Sequence, residues 1–272
     1  MIWKQFSYGR QHRAKRGYLA LVPNAPTHLH VDLCAGMLGD YMKFTTIFFD
    51  RDDTLVYNCP DKAAWRDAAI SDWSCKPFIF SYEKMYETMK LAGKGYTPWY
   101  KDVQTEREFF LRYYKYLLIN EGVKGEVDIR AEILLNELWC NNELLLFPET
   151  IEVLGHFKQK GYKIGVISNT SPSLKITLQQ AGIADYFTSF TASSLAGASK
   201  PSPIIYNAAL EAQGVTAEEC IFVDDKDYCV QGARDIGMTA FNINRGVEIS
   251  DNEWVIRDLK DLIRHERIMQ ND

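Results

Sequence analysis

The chain has 272 residues, of which 46% are apolar and 25% are charged, a composition typical of a globular protein that buries a sizeable core. Its net charge of −5 gives no reason to expect binding to nucleic acid or a membrane surface, and no apolar run approaches the ~20 residues that cross a bilayer. The six cysteines form no Cys-x-x-Cys pair and no zinc-type spacing with histidine, so we expect reduced thiols in a cytoplasmic protein.

Residues 1–41 differ from the rest of the chain. They carry five basic side chains against two acidic ones and show no sustained hydrophobic periodicity. An Arg-rich, acid-poor start is typical of an organellar transit peptide, but Ser7 is the only serine where such peptides are serine-rich. Met42 directly precedes the first predicted strand. We therefore expect a dispensable extension, and one hypothesis is that it is upstream sequence translated in error.

From residue 45 onward, predicted strands and helices alternate. The strand candidates have the continuous Val, Ile and Phe character of strands buried on both faces of a parallel sheet. They are Thr45–Asp50, Lys163–Ser168, Phe187–Thr191, Cys220–Asp224 and Thr239–Ile243. A glycine follows each intervening helix, as helix C-termini favour. These helices are Pro148–Lys160, Pro172–Ala181, Pro201–Gln213 and Tyr228–Ile236. The repeated units indicate an α/β fold with a Rossmann-like parallel sheet.

Residues 59–147 interrupt this alternation. Their pattern is helical, and no strand is expected among them. Within residues 108–118, aromatic and leucine pairs recur every four positions, which is the spacing of one packed helix face. We predict that residues 59–147 form a separate α-helical cap, inserted into a catalytic core that comprises residues 42–58 and 148–272.

Polar residues stand at the carboxyl ends of the predicted strands, where open α/β sheets bind ligands. The first strand leads into Asp50-Arg-Asp-Asp-Thr54, the second ends in Ser168-Asn169-Thr170, and the fourth ends in Asp224-Asp225. Lys200 precedes the helix that follows the third strand. We expect four carboxylates, those of Asp50, Asp52, Asp224 and Asp225, to converge on this edge with a hydroxyl group and an ammonium group.

Asp50 and Asp52 are two positions apart, so an extended backbone places both on one face, ~6.6 Å apart along the strand, with Asp53 turned away. An ionised aspartate such as Asp50 can attack without prior activation. Several anions gathered together repel one another, and a bound cation is the usual compensation. Oxygen ligands with room for water and phosphate are what Mg²⁺ prefers.

Each motif alone has an ordinary structural interpretation. Ser168-Asn169 could cap a helix beginning near Pro172, Lys200-Pro201 could start a helix, and Asp224-Asp225 could form a turn. Their occurrence in this order favours a catalytic site.

In that order the motifs resemble those of the haloacid dehalogenase-like hydrolase superfamily. The resemblance covers residues 42–58 and 148–272, including Gly197–Pro203 and Gly232–Met238. A helical insert after the first motif is similar to the superfamily's α-helical cap subclass, which includes many small-metabolite phosphatases. The resemblance implies a Mg²⁺-dependent phosphatase that forms an aspartyl-phosphate and acts on a small phosphorylated metabolite.

The resemblance also implies a role for each motif residue. Asp50 would be the nucleophile. Asp52 would protonate the leaving alcohol and then activate water, while its backbone carbonyl contacts Mg²⁺. Lys200 would neutralise charge shared by Asp50 and the phosphoryl group. The substrate contacts would be Thr54, Ser168, Asn169 and Lys200, and the metal ligands Asp50, Asp52 and Asp225, with Asp224 in support.

Two residues depart from the family pattern. Asp53 stands where a glycine is commonest, which affects the local turn, and Cys229 stands where many members have Asp or Asn near the metal. Asp52 argues against dehalogenase chemistry, because dehalogenases lack an acid at that position. The rivals that stay open are a sugar phosphomutase, a non-catalytic phosphate-binding protein, and an interaction protein that uses the aromatic surface of the cap.

Overall fold

The computed structural model describes residues 44–93, 100–140, 144–246 and 252–269, so the expectations for residues 1–41 lie outside the described part of the chain. The strands are β1 (Thr46–Phe49), β2 (Val56–Asn58), β3 (Leu144–Leu146), β4 (Lys163–Ser168), β5 (Ser189–Ala192), β6 (Cys220–Asp224), β7 (Thr239–Ile243) and β8 (Val255–Ile256). The helices are α1 (Pro60–Ser74), α2 (Tyr82–Ala92), α3 (Val103–Asn120), α4 (Val127–Leu138), α5 (Thr150–Gln159), α6 (Leu174–Gln180), α7 (Ser193–Ala196), α8 (Pro203–Gln213), α9 (Asp227–Asp235) and α10 (Leu259–Met269).

Six strands form one parallel sheet in the order β5-β4-β1-β6-β7-β8. This arrangement confirms the predicted α/β fold and the parallel sheet. The strands and helices predicted outside residues 59–147 are all present, with ends within two residues of the predicted ones. Within the described ranges, no helix has the length and apolarity that crossing a membrane requires.

The central strand β1 is buried on both faces of the sheet. Ile47 and Phe49 belong to one hydrophobic core, which α5, α6 and α10 complete, whereas Phe48 belongs to a second core completed by α8 and α9. Successive side chains of a strand point to opposite faces, so an uninterrupted apolar run is what a two-sided burial requires.

The described part of residues 59–147 contains the helices α1 to α4, which share a third hydrophobic core. The aromatic and leucine pairs of α3 supply much of this core, since Phe109, Tyr113 and Leu117 are buried in it. The interpretation of that stripe as a packing face is therefore confirmed.

The expectation of no strand among residues 59–147 was wrong. Leu144–Leu146 forms β3, which pairs antiparallel with β2 so that Val56 lies opposite Leu146. The two strands make a short ribbon where the chain leaves the core for the helices and returns. A run of three leucines is too short to show the period of two that identifies a strand, which is why the sequence pattern did not reveal it.

Helix α9 approaches the segment after Lys200 unusually closely at Gly232. A Cβ atom at Gly232 would lie 2.6 Å from the Cβ and 2.8 Å from the carbonyl oxygen of Pro201. Glycine is therefore required here by packing, because a methyl group would push α9 away from the backbone beside Lys200.

We expect Gly232→Ala to lower the free energy of unfolding by about 1–3 kcal/mol through overpacking. The matched control is Gly155→Ala in α5, where a Cβ would meet no atom within 4 Å. That control removes a helical glycine without a clash, so it should stabilise the protein by about 0.5–1 kcal/mol. Urea unfolding measures both, and equal effects from the two substitutions would contradict the packing argument.

Candidate active site

The carboxyl ends of three adjacent strands bring the predicted site residues together. In the sheet β1 lies between β4 and β6, and the amide of Asp50 donates a hydrogen bond of 2.8 Å to the carbonyl of Val223. Asp50 thus lies beside the ends of both neighbouring strands. Every predicted site residue except Thr54 lines one cavity of about 140 Å³ at this edge.

Lys200 is held at the centre of this cavity by three acceptors. Its ammonium group donates to Asp50 Oδ1 at 2.6 Å, to Asp224 Oδ2 at 2.6 Å and to the Ile167 carbonyl at 2.9 Å. A lysine has three donors, and all three are used. The side chain is nearly inaccessible to solvent, so it is fixed as a positive charge between two buried carboxylates.

Asn169 positions Lys200 through its side chain. Its Oδ1 accepts a hydrogen bond from the Lys200 backbone N–H at 2.7 Å, and its Nδ2 donates to the Lys200 carbonyl at 3.1 Å. The sequence predicted only a phosphate contact for Asn169. The observed pair of bonds gives its side chain a second task, which is to fix the backbone from which the lysine projects.

Burial and neighbouring charge shift the pKa of each group at the centre. Burial is the main reason that the pKa of Asp50 rises to about 7; Lys200 opposes this rise, whereas Asp224 adds to it. Burial likewise raises the pKa of Asp224. Burial alone would lower the pKa of Lys200, but the two carboxylates outweigh it and hold that pKa above its usual value.

Three carboxylates are placed to share one metal ion. One oxygen each from Asp50, Asp224 and Asp225 lies within 4.8 Å of the other two. Two lysines of the described chain pair with this group, Lys200 inside it and the more exposed Lys226 on Asp225 at 2.6 Å. One negative charge stays uncompensated, and a hard divalent cation with oxygen ligands fits both the donor set and that charge.

Asp52 lines the same cavity as Asp50, as predicted, but its carboxylate stands apart from the metal group and pairs with Arg51. Arg51 donates from Nε at 2.9 Å and from Nη2 at 2.8 Å to the two oxygens of Asp52, and from Nη1 to Thr177 at 3.2 Å. This bidentate fork fixes the carboxylate in one orientation. Sequence reasoning missed Arg51, because adjacent residues on an extended strand point to opposite faces.

The chain does not stay extended beyond Asp50. Asp53 has a φ of 57°, and its N–H bonds to the Val56 carbonyl at 2.8 Å, closing a tight turn. A left-handed backbone explains why glycine is the commonest residue there, and aspartate is among the few others that tolerate it. The interpretation of Asp53 as a turn residue agrees with this geometry.

Thr54 differs from expectation, whereas Cys229 lies near the site as expected. Thr54 is fully buried and does not line the cavity, so the structure does not bring it to the predicted substrate contacts. Cys229 does line the cavity, and burial raises the pKa of its thiol to about 12. A neutral thiol cannot replace the charge of the aspartate often found at that position in the family.

A second, larger cavity of about 440 Å³ adjoins the first, and Asp52 lines both. The turn after β4 and helix α6 form one side of it, and α3 and the residues after α4 form the other. Glu106 on α3 reaches across this junction, with its carboxylate accepting a hydrogen bond from the Ser173 hydroxyl at 2.6 Å.

Comparisons with known proteins identify the family. The profile of the haloacid dehalogenase-like hydrolases matches residues 44–237, so the chain belongs to that family, as the motifs predicted. A phosphatase from Mycobacterium tuberculosis is 36% identical over 43% of this chain and 54% of its own length. A phosphoglycolate phosphatase from Vibrio vulnificus is 25% identical over 80% of this chain and 93% of its own. A crystal structure of a 2-haloacid dehalogenase from Pseudomonas syringae superposes with a TM-score of 0.60 at 24% identity, covering 81% of this chain and 97% of that one, which is a likeness of fold.

We expect Mg²⁺ to raise the thermal unfolding temperature of the protein, because a ligand that binds only the folded state stabilises it. At a Mg²⁺ concentration of ~100 times its dissociation constant, the unfolding temperature should rise by about 5–10 °C. Asp225→Asn should abolish most of this Mg²⁺-dependent shift. The control Asp235→Asn, at the exposed far end of α9, also removes one negative charge, and this variant should keep the full Mg²⁺-dependent shift. Calorimetric scans with and without Mg²⁺ measure the shift, and an undiminished shift in Asp225→Asn would contradict the site.

Proposed function

We propose that this chain is a Mg²⁺-dependent phosphatase that hydrolyses a small phosphomonoester through an aspartyl-phosphate on Asp50. The observation that carries the proposal is the Lys200 ammonium group held 2.6 Å from both Asp50 and Asp224, next to a third carboxylate. Relatives named as phosphatases support the reaction class. Cys59, Cys75, Cys220 and Cys229 are free thiols, which supports a cytoplasmic location.

In the first step, an oxygen of Asp50 attacks phosphorus and the bond between phosphorus and the ester oxygen breaks. Asp52 gives its proton to the departing alkoxide, so a neutral alcohol leaves. In the second step Asp52 takes a proton from water, whose oxygen attacks the same phosphorus, and the bond to Asp50 breaks. Inorganic phosphate leaves and both aspartates return to their starting state.

The remaining residues bind and orient the phosphoryl group. Lys200 neutralises charge on Asp50 and on the phosphoryl oxygens, while Ser168 and the backbone N–H of Asn169 hold one of those oxygens. Asp50 and Asp225, with Asp224 in support, would hold Mg²⁺, which when bound draws the phosphoryl group to the nucleophile and screens its charge. The fixed geometry serves a reaction that depends mostly on positioning.

We expect Asp50→Asn to reduce hydrolysis of p-nitrophenyl phosphate with Mg²⁺ by at least ~10³-fold, because the nucleophile is lost. Asp53→Asn is the matched control: it makes the same chemical change three residues away, and asparagine also tolerates the left-handed backbone there. The control should keep near wild-type activity.

If the wild type hydrolyses p-nitrophenyl phosphate no faster than Asp50→Asn does, the proposed phosphatase activity is wrong, and a phosphate-binding protein is the better interpretation. Release of inorganic phosphate separates the phosphatase from a phosphomutase, which would move the phosphoryl group between sugar positions without accumulating phosphate.

We expect Asp52→Asn to lower the rate of the first step by ~10²–10⁴-fold when the substrate is an alkyl phosphate. The rate with p-nitrophenyl phosphate should fall much less, because an alkoxide needs a proton to leave and nitrophenolate does not. Rapid-mixing measurement of the first turnover with each ester tests this difference. Equal losses with the two esters would show that Asp52 is not the general acid.

A further inference from the structure

The proposed function requires the alcohol part of the substrate to lie in the larger cavity. Asp52 lines both cavities, and in the mechanism above it gives its proton to the oxygen that joins phosphorus to the alcohol. With the phosphoryl group in the cavity of about 140 Å³, the alcohol extends past Asp52 into the cavity of about 440 Å³. The charges on that wall therefore bear on which alcohol fits.

Arg51 is the cation that the described residues contribute to this larger cavity. It is already matched, since both oxygens of Asp52 accept hydrogen bonds from its guanidinium group and Thr177 accepts a third. Binding a carboxylate of the substrate would require breaking this fork, which also orients the general acid. The donors of Arg51 that face this cavity are thus already engaged by Asp52 and Thr177.

Glu106 adds an anion, and no cation among the described residues pairs with it. It is 2% exposed, and the partners that donate to its carboxylate are neutral: the Ser173 backbone N–H at 2.8 Å, the Ser173 hydroxyl at 2.6 Å and the Trp139 indole N–H at 2.9 Å. These three donors fix both oxygens of the carboxylate at the wall of the cavity. The capping box formed by Asp102 and Thr105 places Glu106 in the first turn of α3.

The rest of the wall combines ring surfaces with neutral hydrogen-bonding groups. Phe110 and Tyr114 present rings from α3, and Thr170, Ser171 and Gln180 present hydroxyl and amide groups from the opposite side. Such a surface suits a molecule that carries hydroxyl groups and has one apolar face. Among the described lining residues, a carboxylate would meet one buried anion, Glu106, and one cation, Arg51, which Asp52 already engages.

We propose that this cavity selects phosphate esters of uncharged or positively charged polyhydroxy alcohols and discriminates against esters that carry a second anionic group. This inference rests on the proposed function and narrows it to a substrate class. Arg51 is engaged by Asp52, and the buried Glu106 has only neutral donors as its described partners, so a second anion would be desolvated beside a like charge.

Three esters of similar size differ in charge at one end: glucosamine 6-phosphate is cationic there, glucose 6-phosphate is neutral, and 6-phosphogluconate is anionic. Each is measured as a competitive inhibitor of p-nitrophenyl phosphate hydrolysis. The inhibition constant of 6-phosphogluconate should exceed that of glucose 6-phosphate by about tenfold or more, from one like-charge contact in a partly buried site. Glucosamine 6-phosphate should bind at least as well as the neutral ester.

Glu106→Gln keeps the shape of the side chain but removes its charge, so it should reduce the ratio between the anionic and neutral esters to within about threefold. Glu108→Gln is the matched control, because Glu108 is on the same helix, is exposed and pairs with Gln104 away from the cavity. It should leave the ratio unchanged. Gln180→Lys adds a cation at an exposed position on the wall and should also reduce the ratio, and it tests the charge argument if Glu106→Gln fails to fold.

A wild type that binds 6-phosphogluconate as tightly as glucose 6-phosphate overturns the inference, as does an unchanged ratio in both folded Glu106→Gln and Gln180→Lys. Failure of the proposed function has a different signature, which is that p-nitrophenyl phosphate is not hydrolysed at all. In that case calorimetric titration of the three esters still reports whether the cavity discriminates by charge.

Discussion

The Lys200 ammonium group bonds to Asp50, to Asp224 and to the carbonyl of Ile167, and these acceptors stand at the ends of three neighbouring strands. Burying two carboxylates this close is unfavourable unless a positive charge lies between them. Loss of one partner of such a buried group costs about 3–5 kcal/mol, since the remaining charge is left uncompensated. The edge of the sheet can be acidic because this lysine is fixed within it.

The position of Lys200 depends in turn on two contacts, one made by Asn169 to the Lys200 backbone and one made by helix α9 to the next residue, Pro201. Asn169 bonds to both its N–H and its carbonyl, and Gly232 lets helix α9 pack directly against Pro201. Helix α9 follows Asp225, so the same packing relates this proposed metal ligand to the lysine. The proposed nucleophile, the cation and the proposed metal ligands are thus held by one connected set of contacts, which is the preorganisation that phosphoryl transfer needs.

The helices α1 to α4 are joined to the core at the two points where the chain leaves it and returns to it. The strands β2 and β3 pair there, and the Arg245 guanidinium group bonds to Glu149 at 2.6 Å and to the Thr54 carbonyl at 2.8 Å while stacking on Phe147. Glu106 adds a contact across the larger cavity through Ser173. The buried Thr54 is therefore part of the support for this junction.

Much of the site was predictable because the acidic, serine and lysine motifs follow buried apolar strands, and the ends of parallel strands meet at one edge. The metal group of Asp50, Asp224 and Asp225 follows from that rule. The pairing of Arg51 with Asp52 does not, because it forms only where the chain turns after Asp50.

Glu106 shows the other limit of sequence reasoning. The predicted helical stripe of residues 108–118 begins after Glu106, and the partner Ser173 is 67 residues away, so only the packing of the helices on the core brings the two together. The strand β3 was missed for a related reason, since three residues gain strand character from their partner β2 and not from their own pattern.

The central claim is that Asp50 becomes covalently phosphorylated. The most direct measurement is an acid quench, within the first turnover, of protein mixed with Mg²⁺ and radiolabelled p-nitrophenyl phosphate, followed by proteolysis and mapping of the label. The account predicts an acid-stable, hydroxylamine-sensitive label on the peptide that contains Asp50. Label on another residue, or phosphate released in the first turnover with no labelled protein at any quench time, would contradict it.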